Sequence, residues 1–324
     1  FCCRTALIPT CTSMDTVLAE VKTMNNFNTL QKYLESQKII TIDLRRITRR
    51  MDPLDKAAGA HIPQQGEIDV FVDHINDVVY KVGPSDKLPK YIIDWRVSML
   101  AHRKGVKVAL PVKKPILFEG KSIYATQHVI NKHIQSPTPQ SVAKVLLDLH
   151  QVEGSANIPI ATSRLRDLAL SVLQDNKAPS NLKSAIKLRA LPLIDYVEKD
   201  MQTHNTLVHG DIHLGNILAT QPHSTLIDFE DAGRGSPLWD IAVLVQSSTR
   251  FGLDNAWLDQ MLNEWQKSSR VSVDNIQHYI DWRCWYGVLS MHIRVREGRG
   301  YHKELQRRMR WVENPSDKTK WNRC

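Results

Sequence analysis

The chain has 324 residues, 42% hydrophobic and 24% charged, with a formal net charge of +9. That length suits one large domain or two lobes sharing a cleft, and the apolar content excludes disorder over most of the chain. No apolar run reaches the roughly 18 residues of a spanning helix. Five cysteines, three of them at Cys2, Cys3 and Cys11, exclude a complete internal disulfide framework and point to a reducing cytoplasm.

Residues 1–13 read as a disordered tail outside the fold, upstream of a start at Met14, without the apolar run of a secretion signal. From 15 to 35, Val17, Leu18, Val21, Met24, Leu30, Tyr33 and Leu34 recur at helical spacing. IITIDL, EIDVFVDHI and DVVYKV are rich in β-branched residues and separated by polar turns, which predicts an antiparallel sheet. A helix is expected over 88–104 with Gly105 as its stop, then a hairpin turning at Glu119, Gly120 and Lys121. The polar segment 131–141, with two prolines, marks the boundary between lobes. Helical patterns follow, interrupted by a strand-like island at 206–229. The expected class is α+β. A sheet-rich N-lobe over 14–130 precedes a larger helical C-lobe over 131–324, with a cleft between them.

The charge excess concentrates at the end, where 291–324 holds ten Lys/Arg against four Asp/Glu. Such a segment suits nucleic acid, a membrane surface or a phosphorylated ligand. The alternative is a solvated basic face over a buried stripe of Tyr301, Leu305, Met309 and Trp311. Trp257, Trp265, Trp282 and Trp285 fall at helical spacing and read as core, with Trp282 or Trp285 as candidate walls of an acceptor pocket.

The island carries the chemistry. It reads LVHGDIHLGNILATQPHSTLIDFEDAGRGSPLWDIAVLV. Asn216 follows Asp211 by five residues, and Asp228 ends an apolar strand-like run. Phosphoryl transfer explains this order, because it needs an acceptor hydroxyl held in line and metal ions on the phosphates. Asp211 suits the base that accepts the hydroxyl proton. Asn216 and Asp228 offer the hard oxygen ligands that Mg²⁺ prefers. An Asp, an Asn five residues on, a strand and then Asp-Phe is the order of a kinase catalytic loop, here with Gly210 for the usual Arg and Glu230 for the usual last Gly. His209-Gly210-Asp211-Ile212-His213 also offers imidazole and carboxylate to zinc or iron, but a hydrolase needs no Asn216 and Asp228 at these offsets.

HGDIHLGNIL with LIDFEDAGRGSPLWDIA closely resembles the signature of the aminoglycoside phosphotransferase family of small-molecule kinases. His209, Gly210, Asp211, His213, Asn216, Asp228, Phe229, Gly235 and Asp240 all fall in register, densest over 207–245. The resemblance implies a bilobal protein-kinase-like fold that uses ATP (or GTP) and Mg²⁺ to phosphorylate a hydroxyl of a small molecule, an antibiotic or a metabolite. It implies that Lys81 touches the nucleotide phosphates and pairs with Asp94, where the family usually has Glu. It implies a gate at Gln127 and adenine contacts from the backbone of His128 and Ile130. His209 would brace the loop, and Asp240 would cap its helix and hold the loop; Glu230 and Asp231 read as solvated turn acids. Only Gly59 and Gly66 stand where a glycine-rich phosphate loop belongs. The basic run over 281–311 favours a neutral or anionic acceptor over a polycationic one. The rivals are a protein kinase, disfavoured by HGD and a missing A-P-E, a nucleotide-binding pseudokinase, and a basic nucleic-acid-binding module. The expected partners are nucleotide and acceptor, without membrane.

Overall fold

The computed structural model describes residues 14–37, 44–46, 68–129, 136–161, 164–220, 222–269, 271–298 and 300–322. The cysteine-rich start, Gly59, Gly66, Ile130 and residues 131–135 of the expected inter-lobe segment lie outside them.

Helix α1 (Met14–Ser36) precedes strands β1 (Leu44–Arg46), β2 (Asp69–Asp73) and β3 (Val78–Pro84). Helix α2 (Leu88–Arg103) then leads to β4 (Pro111–Phe118) and β5 (Lys121–Gln127). Among the described residues these strands form one antiparallel sheet in the order β1-β2-β3-β5-β4. The β4–β5 turn has positive φ at both Glu119 and Gly120, the geometry that matches strand twist in a two-residue hairpin. Strand alternation sorts the side chains of β3. Val78, Tyr80 and Val82 pack with Phe71, Ile123, Leu30 and Leu34 in a small core under α1. Lys81 therefore takes the other face, beside its register partner Tyr124.

Helix α2 buries Tyr91, Asp94, Val97 and Ala101, spaced three or four apart along one face. It stops at Gly105, whose φ of 88° suits a residue without a Cβ. The chain then runs into the second lobe. Leu226 N–H bonds Lys107 O at 2.9 Å, and Ala109 N–H bonds Leu226 O at 3.0 Å.

The larger lobe begins with α3 (Pro139–His150), capped by the Thr138 hydroxyl accepting from Ser141 N–H. Helices α4 (Leu165–Gln174), α5 (Ser180–Ala185) and α6 (Leu191–Gln202) follow. Two short antiparallel pairs come next, β6 (Thr206–Val208) with β9 (Gly233–Gly235), and β7 (Ile217–Ala219) with β8 (Ser224–Leu226). Helices α7 (Leu238–Phe251), α8 (Asn255–Ser269), α9 (Ile276–Arg296) and α10 (His302–Glu313) close the fold. One large core runs from Val97 and Ala101 of α2 through this lobe to Trp321 and includes Trp265, Trp282 and Trp285. Trp257 is only partly buried and donates to Pro137 O at 3.1 Å.

The basic C-terminal segment differs from its expected stripe. The buried face of α10 is Glu304, Arg308, Trp311 and Val312, while Tyr301 is exposed. Arg308 donates to Glu304 at 2.9 Å and to the carbonyls of Gly287 and Asn322, both at 2.7 Å. A fully partnered guanidinium can be buried where hydrophobicity alone would leave it outside. Part of the positive charge is thus internal structure.

Candidate active site

The β7–β8 hairpin builds the centre of the site. Ile217 pairs with Leu226, and Ile227 N–H bonds Asn216 O at 3.1 Å. That register places Asn216 opposite Ile227, next to Asp228 across the end of the ladder. Asn216 Nδ2 donates to Asp211 O at 3.0 Å, and its amide oxygen makes no hydrogen bond to a described residue. Asp228 has φ of 69°, an uncommon backbone state that Asp tolerates better than most residues. Its Oδ1 accepts from Lys81 Nζ at 2.9 Å, across the two lobes.

Lys81 sits among three carboxylates. Glu230 Oε1 is also 2.9 Å away and Asp94 Oδ2 is 3.6 Å away. Asp94 is buried and ties three elements together: it accepts from Tyr124 OH at 2.9 Å, Ser98 OH at 3.0 Å and Phe229 N–H at 3.2 Å. The expected Lys81–Asp94 ion pair is thus present at 3.6 Å, and Glu230 makes a closer contact at 2.9 Å. Glu230 is only 15% exposed and bound to Lys81, so it is not the solvated turn acid that its position suggested. Burial works against the Lys81 ammonium, but Asp228, Asp94 and Glu230 outweigh it and hold its pKa well above the usual value. Burial also pushes Asp94 and Glu230 up. Asp228 is pushed up by burial too, yet its contact with Lys81 brings it below the ordinary value. The cluster is a fixed ion-pair network with one cation and more than one anion.

The catalytic-loop candidate, 209–211, hangs from Asp240. This carboxylate is fully buried and accepts from His209 N–H at 2.8 Å, Gly210 N–H at 2.9 Å and His150 at 3.0 Å. His150 Nδ1 accepts from Trp265 Nε1 at 3.2 Å, which makes Nε2 the proton-bearing nitrogen facing Asp240. Burial pushes the Asp240 carboxyl up, but the His150 hydrogen bond and the loop N–H bring it below the usual range. Asp240 does not cap its own helix: Pro237 is the N-cap of α7, and the carboxylate turns to the loop instead. His209 is buried and its Nε2 meets Ile227 O at 2.9 Å, so it links the loop to the hairpin. Its ring lies 4.6 Å from that of Phe229.

Gly210 shows why glycine replaces the kinase arginine. Its φ is 87°, and a Cβ there would stand 2.0 Å from Asp231 O. The loop and the segment after Asp228 touch backbone to backbone, and only glycine admits that approach.

Asp211 is partly exposed, with Oδ1 accepting from Arg283 Nη2 of α9 at 2.9 Å. His213 Nε2 is 3.9 Å from its Oδ2, while His213 Nδ1 accepts from Gly215 N–H at 3.0 Å. The sequence pattern did not single out Arg283 or Trp239, and it read Glu230 as a solvated turn acid. Trp239 Nε1 donates to Gly210 O at 3.0 Å. Trp239, next to Asp240, and Glu230, two residues after Asp228, had a positional signal. Of the expected hinge, Gln127 N–H bonds Leu110 O and His128 N–H bonds Asp77 O, both at 2.7 Å. His128 thus has only its carbonyl to offer a ligand from its backbone. Ile130 lies outside the described residues.

Residues 101–276, which include this loop and hairpin, match the model of the phosphotransferase enzyme family. The chain belongs to that family. Solved structures share the phosphotransferase fold at low identity. The amicoumacin kinase hAmiN, in complex with AMP-PNP, Ca2+ and Ami, aligns with a TM-score of 0.59 and 16% identity, covering 84% of this chain and 96% of that one. The choline kinase LicA from Streptococcus pneumoniae gives 0.57 and 15%, covering 88% and 96%. A putative fructosamine-3-kinase from Haemophilus somnus 129PT gives 0.56 and 12%, covering 90% and 99%. Compared by sequence with curated proteins, the chain matches none. The bilobal kinase-like fold expected from the island is thus the fold of this phosphotransferase.

Proposed function

We propose that the chain is an ATP-dependent kinase that phosphorylates a hydroxyl of a small molecule, an antibiotic or a metabolite, with the N-lobe of 14–130 holding nucleotide and the C-lobe of 131–324 holding acceptor. One observation carries this reading. Lys81 of the sheet reaches Asp228 of the hairpin, and Asn216, beside Asp228, is hydrogen-bonded to Asp211. A phosphate-binding cation, a pair of oxygen ligands and a base therefore lie in the order that phosphoryl transfer requires.

The donor set fits Mg²⁺. The Asn216 amide oxygen and Asp228 Oδ2 make no hydrogen bond to described protein groups, and both are hard oxygen donors. Bound there, the ion would neutralise phosphate charge. Lys81 would exchange part of its carboxylate contacts for phosphate oxygens, with Asp94 and Glu230 fixing its position. Gln127 would stand at the gate, and the His128 carbonyl and Ile130 would meet the adenine edge. Asp211 orients the acceptor hydroxyl. The hydroxyl oxygen forms a bond to the γ-phosphorus, the bond from that phosphorus to the β-bridging oxygen breaks, and the hydroxyl proton passes to Asp211. ADP and a phosphate monoester leave. His209 and Asp240 hold the loop that carries the base. The hAmiN complex with AMP-PNP and an ADP-bound aminoglycoside phosphotransferase of the same fold support the choice of an adenine nucleotide. A cytoplasmic location follows from the substrate ATP.

The test is ATP consumption with Mg²⁺ over a panel of hydroxylated small molecules, with Asp211→Asn as control. Turnover by the wild type that the control lacks is expected. Equal behaviour of the two proteins on every acceptor overturns the catalytic reading.

A further inference from the structure

We infer that Arg283 reads the acceptor, and that the acceptor carries an oxyanion, a carboxylate or a phosphate, near the hydroxyl that receives the phosphoryl group. The inference rests on the kinase reading above and names the substrate class for that same site.

The first ground is position. Arg283 Nη2 lies 2.9 Å from Asp211 Oδ1. Any hydroxyl that hydrogen-bonds the Asp211 carboxylate therefore lies within a few ångströms of the guanidinium. Arg283 is only 13% exposed against 38% for Asp211, so the pair is shielded on the arginine side and open on the carboxylate side.

The second ground is unused capacity. Asp211 takes one N–H of Arg283, and no other acceptor among the described residues takes the rest. Arg283 Nε is enclosed without a hydrogen-bond partner among the described residues, as is Arg250 Nε. Arg308, by contrast, has a partner at each guanidinium nitrogen, in Glu304, Gly287 and Asn322. Arg283 instead keeps Nη1 beside the Nη2 that holds Asp211, on the fork that matches a carboxylate or phosphate.

The third ground is rigidity. The guanidinium lies 5.3 Å over the Tyr286 ring. Tyr286 stacks on Trp282 with planes 4° apart. Trp282 packs on Trp239 at 4.2 Å, and Trp239 Nε1 holds Gly210 O. An aromatic chain thus fixes the arginine relative to the loop that carries Asp211, and a fixed fork is what orientation of one hydroxyl needs. A cationic acceptor would instead set a second positive charge beside Arg283.

The experiment uses matched acceptors on one scaffold: glucose, glucosamine, gluconate and glucose 6-phosphate, with ATP and Mg²⁺, on wild type, Arg283→Gln and Arg283→Lys. The anionic members are expected to show the higher kcat/KM, and comparison of gluconate with glucose 6-phosphate tells carboxylate from phosphate. Arg283→Gln is expected to raise KM for the preferred anion about 30- to 100-fold, with a smaller change in kcat, and Arg283→Lys to recover part of it. Calorimetric binding of gluconate and glucose 6-phosphate to the three proteins gives a readout that needs no turnover. Thermal unfolding shows whether each variant folds. A preference for glucose or glucosamine overturns the inference, as does a fall in kcat without a rise in KM, or anion binding that is absent from the wild type or equal in Arg283→Gln. Failure of the wild type to bind ATP with Mg²⁺ would instead remove the kinase reading beneath it.

Discussion

Replacing Asp240 with alanine removes the acceptor that holds three donors, His209 N–H, Gly210 N–H and His150. The site is fully buried, so water cannot readily take the place of the carboxylate. Each stranded donor costs about 1–3 kcal/mol, and breaking a buried paired network of this size typically costs about 3–5 kcal/mol. For a chain of this length the unfolding entropy is about 0.7 kcal/mol per kelvin, so Tm is expected to fall by about 4–7 °C. The loop bearing Asp211 also loses its anchor, and a displacement of about 1 Å at a reacting group costs about a hundredfold in rate. Calorimetry of Asp240→Ala beside wild type, followed by ATP turnover of the folded variant, measures both effects. A loss below about 1 kcal/mol with turnover intact would show that Asp240 does not hold the loop.

Asp240→Asn tests the acid limb of stability. The folded carboxyl sits below its ordinary value, so its contribution is present above the unfolded value of about 4 and disappears as pH falls below that. Urea unfolding between about pH 5 and 3 should therefore be shallower in pH for Asp240→Asn, by up to about 1.4 kcal/mol per pH unit. Gly210→Ala forces a Cβ to 2.0 Å from Asp231 O at a φ of 87°, and denaturant titration should show a loss of about 2–5 kcal/mol. Lys81→Met leaves Asp94, Asp228 and Glu230 together without their cation. It should cost about 3 kcal/mol at pH 7 and at least about a hundredfold in turnover. The stability loss should shrink towards pH 5, as the raised Glu230 carboxyl takes up a proton.

Most of the architecture could be read from period and punctuation. The β-branched runs became β2 and β3, the Glu119-Gly120 turn closed β4 and β5, and Gly105 ended α2. The spacing of Asp211, Asn216 and Asp228 was legible because one loop and one hairpin carry all of them, so local order sets their proximity. What could not be read came from distant chain. Arg283 lies 72 residues from Asp211, and the pattern of α9 marked its neighbours Trp282 and Trp285 as candidate pocket walls but not the arginine itself. Glu230 looked like a surface acid because its partner Lys81 is 149 residues away. The buried Glu304–Arg308 pair joins Trp311 of the expected stripe on the buried face of α10, since partnered charges follow hydrogen bonding and not hydropathy. Asp240 kept the loop and not its own helix end, a choice made by His150 on α3.

The central claim is that Asn216 and Asp228 hold a divalent ion on a nucleotide whose phosphates face Lys81 and Asp211. A crystal structure with AMP-PNP and Mn²⁺ tests it most directly, through the anomalous signal of the metal. The account predicts a peak bound by the Asn216 amide oxygen and the Asp228 carboxylate, with the γ-phosphate between Lys81 and Asp211. A nucleotide whose metal touches neither residue, or whose γ-phosphate lies away from Asp211, would contradict it.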